Sequence, residues 1–263
     1  MNNESNINRA ELHIHTKTSK ENSTIELSEA IKRAKELGLS AIAISNFKNV
    51  NDFSKIVKMS RENKQSMKII CGVELPFTAT SQMIKTKGYS LTILAKNQDG
   101  LNALQELTTT LTPDEKHPAC ELLDLDILNK NRQNLIIGST CNRGEVFFET
   151  KWWWEFPKNY RRMAEFYDFF EIFPTKNDED KNIVQRIMEL SQAFKVPVVA
   201  TSNAKHLTVE TAALADFSFC ADRYNHIYST DELLEEFGYL GKDVARDVVI
   251  KNPKIIADLI EAY

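Results

Sequence analysis

Two histidines separated by a single residue, His13 and His15, are the side chains whose spacing most directly suggests metal binding. Residues two apart on a β-strand point to the same face, so both imidazoles can bind one cation. The pattern alone is ambiguous, because histidine also serves as an ordinary core or surface residue. Its meaning depends on the elements that carry it and on the polar residues those elements bring near.

Helical and strand patterns alternate along the chain. Strand-length apolar runs cover residues 41–44, 68–73, 89–95, 135–139, 169–173 and 196–201, and helical patterns cover 52–62, 101–107 and 183–194. Another helix is predicted to begin after Ser23, which would form a capping box with Glu26, and to end at Gly38. This alternation predicts parallel strands covered by helices.

An open, doubly wound sheet and a closed barrel both satisfy this alternation. A barrel is favoured because polar residues follow the C-terminal end of nearly every predicted strand, where barrel proteins place their sites. These residues are His13, His15, Asn46, Glu74, Cys141 and Asn203. No glycine-rich phosphate loop follows the first strand, and with 8 glycines in the chain the nucleotide-binding alternatives are weak.

Size and charge narrow the class of protein. With 263 residues and 42% hydrophobic content, we expect a single domain over residues 1–263, with residues 1–9 as a flexible N-terminus. The net charge of -4 supplies no broad positive field, so autonomous nucleic-acid binding is disfavoured.

The apolar runs are much shorter than the roughly 20 residues of a membrane helix. The N-terminus is polar and lacks a secretory signal, so we expect a cytoplasmic protein. The 4 cysteines include no CxxC pair, which indicates neither a zinc ribbon nor a disulfide framework.

Several longer motifs stand in order along the chain. The first is ELHIHTKTSKENSTIELSEAIKRAKELGLSAIAISNFKNVNDF at residues 11–53. It is followed by GVE at 72–74, YSLTILAKNQDGL at 89–101, LIIGSTCNRGEVF at 135–147, FYDFFEI at 166–172 and PVVATSNAKHL at 197–207. Together with the predicted closing helices at 229–260, they resemble the PHP (polymerase and histidinol phosphatase) domain of PolC-type bacterial DNA polymerase III α subunits.

The resemblance implies a distorted (β/α)7 barrel with up to three metal ions at its mouth. Intact members of the family are expected to have phosphoesterase or proofreading activity, because adjacent cations clamp a phosphate and activate a water molecule. PolC-type polymerases carry an exonuclease between the segments that match Glu74 and Tyr89. Only residues 75–88 join them here, so no exonuclease insertion is expected, and the chain is too short to synthesise DNA alone.

Five residues match ligand positions of the family. His13 and His15 match its first pair, Glu74 its bridging carboxylate, Cys141 a cysteine of the polymerase branch, and Asn203 a position that is Asp or Asn. This set is expected to suffice for one zinc or manganese ion. The alternative is that the histidines only pack in the barrel mouth and that Cys141 is a buried apolar residue.

Other ligand positions of the family are replaced. The residues that stand there are Asn22, Asn46, Phe47, Ser90 and Lys205. A phenylalanine cannot bind a metal, and a lysine ammonium repels one unless burial deprotonates it. His206 is one residue out of register, so we expect it to face away, and we expect Lys205 to form an ion pair with Glu74 in place of the lost cations.

Three consecutive tryptophans, Trp152, Trp153 and Trp154, form an aromatic cluster flanked by lysines and arginines. Because they cannot all face one core, we expect at least one to be exposed on a partner-binding surface. A protein partner is favoured over stacking on single-stranded DNA, since wider positive charge is lacking. Burial beneath the next helix is the remaining alternative.

The sequence therefore favours a degenerate, non-catalytic PHP domain that acts as a structural or interaction module linked to DNA replication. The alternative is a residual metal-dependent phosphoesterase with an incomplete centre at His13, His15, Glu74 and Cys141. A third interpretation, a piece excised from a larger polymerase, is disfavoured by the start at Met1 and by the short connection at residues 75–88.

Overall fold

The structure is a computed structural model of the chain. It describes residues 9–63, 65–78, 88–113, 121–140, 142–151, 157–175, 177–215 and 225–261. Within these ranges, no helix is both long enough and apolar enough to cross a membrane.

Nine strands are present in the described residues. They are β1 (Ala10–Ile14), β2 (Ala41–Phe47), β3 (Lys68–Phe77), β4 (Tyr89–Ala95), β5 (Thr112–Pro113), β6 (Glu121–Leu122), β7 (Leu135–Gly138), β8 (Phe170–Ile172) and β9 (Val198–Ala200). Five of them form the central sheet in the order β1-β2-β3-β4-β7, while β5 pairs with β6 and β8 with β9.

The helices of the described residues lie mostly between the strands. They are α1 (Leu27–Glu36), α2 (Phe53–Asn63), α3 (Gln98–Thr109), α4 (Leu125–Lys130), α5 (Glu145–Thr150), α6 (Pro157–Phe166), α7 (Asp178–Phe194), α8 (Val209–Ala215), α9 (Thr230–Glu236), α10 (Lys242–Arg246) and α11 (Asn252–Asp258). Short 3-10 helices cover Arg132–Asn134 and Gly238–Leu240, and a π-helix covers Asp247–Lys251.

The sheet is rich in parallel pairs but not wholly parallel. Strands β1, β2 and β3 run parallel, whereas β4 is antiparallel to both β3 and β7. The reversal follows from length, because the connection of residues 78–88 is shorter than the dozen or so residues that a parallel crossover needs. The sequence-based expectation of parallel strands throughout is therefore wrong for β4.

Helix α1 begins later than the sequence pattern predicts. Its N-cap is Glu26, whose backbone N–H donates to Glu29 Oε2 at 3.2 Å. Ser23, the predicted cap, instead donates its hydroxyl to the carbonyl oxygens of His15 at 2.8 Å and Lys205 at 3.0 Å. The serine thus ties the loop after β1 to the loop after β9.

Buried polar side chains lie among the apolar residues of the central sheet. All residues of β1 and β4 are buried, as expected for strands covered on both faces. In the register of β3 and β4, Glu74 lies opposite Thr92, which is also buried and polar, whereas Gly72 lies opposite the apolar Leu94. The result is a mixed α/β fold in which the C-terminal ends of the first three strands meet at one edge.

Candidate metal centre

Three predicted ligands, His13, His15 and Glu74, converge at this edge. All three side chains are fully buried, and one potential ligand atom of each lies within 4.8 Å of the others. The Nε2 atoms of the histidines are 3.1 Å apart, and Glu74 Oε2 lies 3.4 Å and 3.5 Å from them. The cluster can therefore bind a metal ion through two imidazoles and one carboxylate.

The carboxylate oxygen that faces the imidazoles fits a cation. Its contacts with His13 and His15 are longer than ordinary hydrogen bonds, and Glu74 Oε2 makes no hydrogen bond within the described residues. A buried carboxylate oxygen needs a nearby positive charge, which a bound cation supplies here or, without one, a protonated His13. The donor set of nitrogen and oxygen atoms suits zinc or manganese.

Glu171, on β8, orients the first histidine. Its Oε1 lies 2.6 Å from His13 Nδ1, and it also accepts the Thr201 hydroxyl at 2.7 Å. The Glu171 backbone N–H donates to Ser139 Oγ at 2.9 Å, which fixes the strand beside it. With a proton on Nδ1 directed to Glu171, His13 presents Nε2 to a metal, as metal-binding histidines commonly do.

Charge coupling within the cluster is strong. Burial opposes protonation of His13, but the Glu171 and Glu74 carboxylates outweigh it and raise the pKa of His13 to about 10. Burial lowers the pKa of His15 to about 4, although Glu74 opposes the shift. Burial also opposes ionisation of Glu74, yet its contacts with the two histidines lower its pKa to about 2. Without a metal, the cluster is thus a carboxylate beside one protonated histidine.

A second group of charges adjoins the triad. Arg143 donates from Nη2 to Glu74 Oε1 at 2.7 Å and forms an ion pair through Nη1 with Glu21. Lys205 Nζ lies 3.0 Å from the other oxygen of Glu21. The predicted ion pair between Lys205 and Glu74 is therefore wrong, because Glu21 binds the lysine and Arg143 binds Glu74.

The structure also revises the loop after β1. The family's ligand position was assigned to Asn22, but this side chain is exposed. The carboxylate of its neighbour Glu21 is only 14% exposed and faces the cluster instead. An acidic residue thus remains in this loop, and it pairs with protein cations.

The other replaced ligand positions have structural roles. Asn46 accepts the Thr16 backbone N–H at 2.7 Å and donates to the hydroxyls of Thr16 and Thr18, both at 2.8 Å. Phe47 is half-buried, with the Arg143 guanidinium 5.3 Å from its ring centroid. Ser90 is buried, and its backbone N–H donates to the carbonyl of Arg143 at 3.1 Å.

Some of the remaining predicted residues lie within the described part of the chain and others do not. Asn203 is buried with a φ of +42°, next to Ala204, which bridges Ile14 at the end of β1. His206 contacts Thr24 through Nδ1 at 3.0 Å. Cys141 and the tryptophans at 152–154 lie outside the described residues, so their assigned roles stay predictions.

Sequence reasoning missed Glu171, Arg143 and Glu21. Glu171 is a charged residue inside an otherwise apolar strand, which was the available signal for a buried polar role. Arg143 and Glu21 lie in loops, and no periodic pattern identifies which loop side chains turn inward.

Comparison of the sequence with protein-family profiles identifies the family of this chain. The PHP domain profile matches residues 11–177. The chain belongs to the PHP domain family. The resemblance inferred from the sequence motifs is thereby confirmed.

The most similar curated proteins include PolC-type DNA polymerases III. The protein of Caldanaerobacter subterraneus is 34% identical over 194 residues, which cover 66% of this chain and 14% of that protein. The Clostridium perfringens protein is 28% identical over 262 residues, covering 87% of this chain and 17% of its own length. The PHP chain thus corresponds to less than a fifth of these polymerases.

Solved structures with a detectable likeness have low sequence identity. An amidohydrolase from Chromobacterium violaceum has a TM-score of 0.49 and 11% identity, covering 75% of this chain and 87% of that one. Histidinol phosphate phosphatase from Lactococcus lactis has a TM-score of 0.33 and 13% identity, covering 89% and 82%.

Proposed function

We propose that this PHP domain binds one metal ion, has lost the multi-metal phosphoesterase centre, and acts as a structural or interaction module related to PolC-type polymerases. The observation that carries the proposal is the position of Arg143, whose guanidinium binds the carboxylate that the family resemblance makes a bridge between metals. One oxygen of Glu74 faces the histidines and the other faces a protein cation.

The single metal would be held by His13 Nε2, His15 Nε2 and Glu74 Oε2. Cys141 and Asn203 are proposed as further ligands from the family resemblance. A bound zinc or manganese ion would supply Lewis acidity at this position. Glu171 would keep the His13 imidazole in the orientation and tautomer that binding requires.

The neighbouring metal positions are unfavourable for a second cation. Arg143 and Lys205 bring two positive charges to this region, and Glu21 is shared between them. Phe47 offers an aromatic ring where a ligand would be needed. The carboxylate oxygens that a second divalent ion would need here are paired with Arg143 and Lys205, and the guanidinium would repel the ion.

We also propose that seven strands close into a barrel. Beyond the assigned sheets, the His15 N–H donates to the Ala204 carbonyl at 2.8 Å, and the Ala204 N–H donates to the His13 carbonyl at 3.0 Å. On the other side, the Ser139 N–H donates to the Phe169 carbonyl at 3.2 Å. These hydrogen bonds link the β8–β9 pair to both edges of the central sheet and support a ring of β1, β2, β3, β4, β7, β8 and β9.

A replication-linked protein partner is part of the proposal. The similarity to PolC-type polymerases supports the process, and the surface proposed for the contact is Trp152, Trp153 and Trp154. Clustered tryptophans are typical of interface hot spots.

The alternative function is a residual single-metal phosphoesterase. It is favoured by the pairing of Glu171 with His13, because an orienting carboxylate is typical of a functional metal site. It differs from the first proposal only in predicting turnover.

Metal analysis of the purified protein tests the proposal. We expect about one equivalent of zinc or manganese in the wild type and none in the His13→Ala, His15→Ala double variant. His206→Ala is the matched control, because this buried histidine contacts Thr24 and should leave metal content unchanged. No metal in the wild type, or two equivalents, would contradict the single-metal proposal.

Turnover separates the two functions. Metal-loaded protein should not hydrolyse a chromogenic phosphomonoester or phosphodiester above the level of the double variant. Hydrolysis that disappears in His13→Ala would replace the module proposal with the phosphoesterase.

A further inference from the structure

A cavity of about 360 Å³ opens beside the metal centre, between the end of β2 and the beginning of β4. This volume lies within the usual range of small-molecule sites. The residues that matter for its chemistry are Phe47, Lys48, Tyr89, Glu121, Arg143 and Phe148. None of the three proposed metal ligands lines it.

One part of the cavity wall is aromatic. Tyr89 is buried with its ring centroid 5.8 Å from that of Phe148, and Phe47 contributes a half-buried ring. Rings in such a wall can stack on a planar ligand or contact its edge, and they offer large apolar area.

The same wall also carries positive charge, from two cationic side chains that lie near the Phe47 ring. Lys48 Nζ lies 5.5 Å and Arg143 Cζ lies 5.3 Å from the Phe47 ring centroid, both within the range of cation–π contacts. Cationic and aromatic groups therefore alternate within a few ångströms on one wall, an arrangement suited to an anion that carries a ring.

The backbone holds Lys48 in an unusual conformation. Its φ is +50°, a left-handed value that residues other than glycine rarely adopt. The Lys48 N–H donates to the carbonyl oxygen of Glu74 at 3.0 Å, and the lysine side chain is only 13% exposed. Such conformations concentrate at functional sites, and this one directs a mostly buried ammonium to the cavity.

The present partner of Lys48 is displaceable. Its Nζ lies 3.3 Å from Glu121 Oε2, and the glutamate side chain is 47% exposed. An ion pair with so exposed a carboxylate contributes little, so a ligand anion can take the place of Glu121.

We propose that this cavity binds a small aromatic anion, with the ring against Phe47 and Tyr89 and the anionic group at Lys48. Arg143 keeps its pairing with Glu74 and Glu21. The anionic group is a phosphate or a carboxylate, since both accept charge-assisted hydrogen bonds from lysine. The inference goes beyond the proposed function and needs no metal ion.

Calorimetric titration of the full chain in excess EDTA tests the inference apart from the metal centre. Phenyl phosphate, benzoate and inorganic phosphate are the probes. We expect saturable binding of phenyl phosphate or benzoate, with inorganic phosphate weaker by about tenfold because it lacks the ring. The tighter of the two aromatic probes identifies the anionic group. No saturable binding of either aromatic probe, or equal affinity for inorganic phosphate, overturns the proposal.

Charge variants locate the binding site. Lys48→Gln should weaken the tighter probe by about tenfold through loss of a charged hydrogen bond. Lys205→Gln is the matched control, because it removes a nearby cation that does not line the cavity, and it should change affinity less than about twofold. Equal losses in both variants would overturn the assignment.

A variant expected to strengthen binding distinguishes a specific contact from misfolding, because a misfolded protein would not bind the probe more tightly. Glu121→Gln removes the competing carboxylate and should tighten binding by about two- to fivefold. An affinity that is unchanged or weaker in folded Glu121→Gln would contradict the displacement of Glu121.

Discussion

Replacing Glu171 with glutamine should weaken zinc binding while leaving the protein folded. The carboxylate accepts from His13 Nδ1 at 2.6 Å and from the Thr201 hydroxyl at 2.7 Å. Both contacts are made to Oε1, so a glutamine oxygen at this position keeps the proton on Nδ1 but removes the negative charge that makes the His13 imidazole a stronger ligand. In the other orientation the amide nitrogen donates to Nδ1 and places the imidazole proton on Nε2, the atom needed by the metal.

The expected magnitude follows from the class of contact. Loss of a carboxylate that orients a metal-binding histidine typically lowers affinity by about 10- to 100-fold, or about 1.4 to 2.8 kcal/mol. The negative charge is lost in either orientation of the glutamine amide and the correct tautomer in only one, so we expect Glu171→Gln to fall within this range.

Competition with a chromophoric zinc chelator measures this change on metal-stripped protein. Thr201→Val is the control, because it removes a neighbour of the same carboxylate and keeps its charge, and we expect it to weaken zinc by less than about threefold. Wild-type affinity in Glu171→Gln, with circular dichroism unchanged, would refute the orienting role. Equal losses in both variants would assign the effect to general disruption of the strand.

Two further predictions concern packing and charge. Gly138→Ala should lower the free energy of unfolding by about 1 to 3 kcal/mol in urea titrations, because the added Cβ would lie 2.3 Å from the Phe169 ring. Gly238→Ala, where the Cβ meets nothing within 4 Å, should change stability by less than about 0.5 kcal/mol, and equal effects would contradict the steric explanation. Glu21→Gln should weaken zinc binding at low salt, with a smaller loss at high salt, because it leaves two nearby cations without their shared carboxylate. Asn22→Ala, at the exposed neighbour, should leave affinity unchanged, and a larger loss there would restore position 22 as the ligand position.

The sequence predicts the positions of the helices and strands better than it predicts the direction of each strand. Apolar periodicity predicted the central strands because burial of both faces leaves a direct pattern in residue type. Strand direction leaves no such pattern, and the reversal of β4 depends on the length of the connection that precedes it. The start of α1 was misplaced for a similar reason, since the hydroxyl of Ser23 binds distant carbonyl groups.

The candidate site could be predicted where local spacing determines it. His13 lies on β1 and His15 directly follows it, while Glu74 lies on β3 near the C-terminal end of that strand. The parallel order β1-β2-β3 brings the three side chains to one edge of the sheet. The partners of Lys205 could not be inferred, because several carboxylates lie within reach of a long side chain and only the folded loops decide among them. Glu21 and Arg143 became visible through their contacts alone.

The number of metal ions depends on how Glu74 divides its two oxygens. Oε2 lies between two imidazole nitrogens and makes no hydrogen bond within the described residues, whereas Oε1 accepts from Arg143 at 2.7 Å. A carboxylate that bridged two metals through its two oxygens would need Oε1 free of the guanidinium. The guanidinium supplies fixed positive charge to Oε1 without open coordination positions, so it can neutralise Glu74 but cannot activate water. This division leaves one position for a metal and is the physical reason to propose retained binding without the multi-metal chemistry.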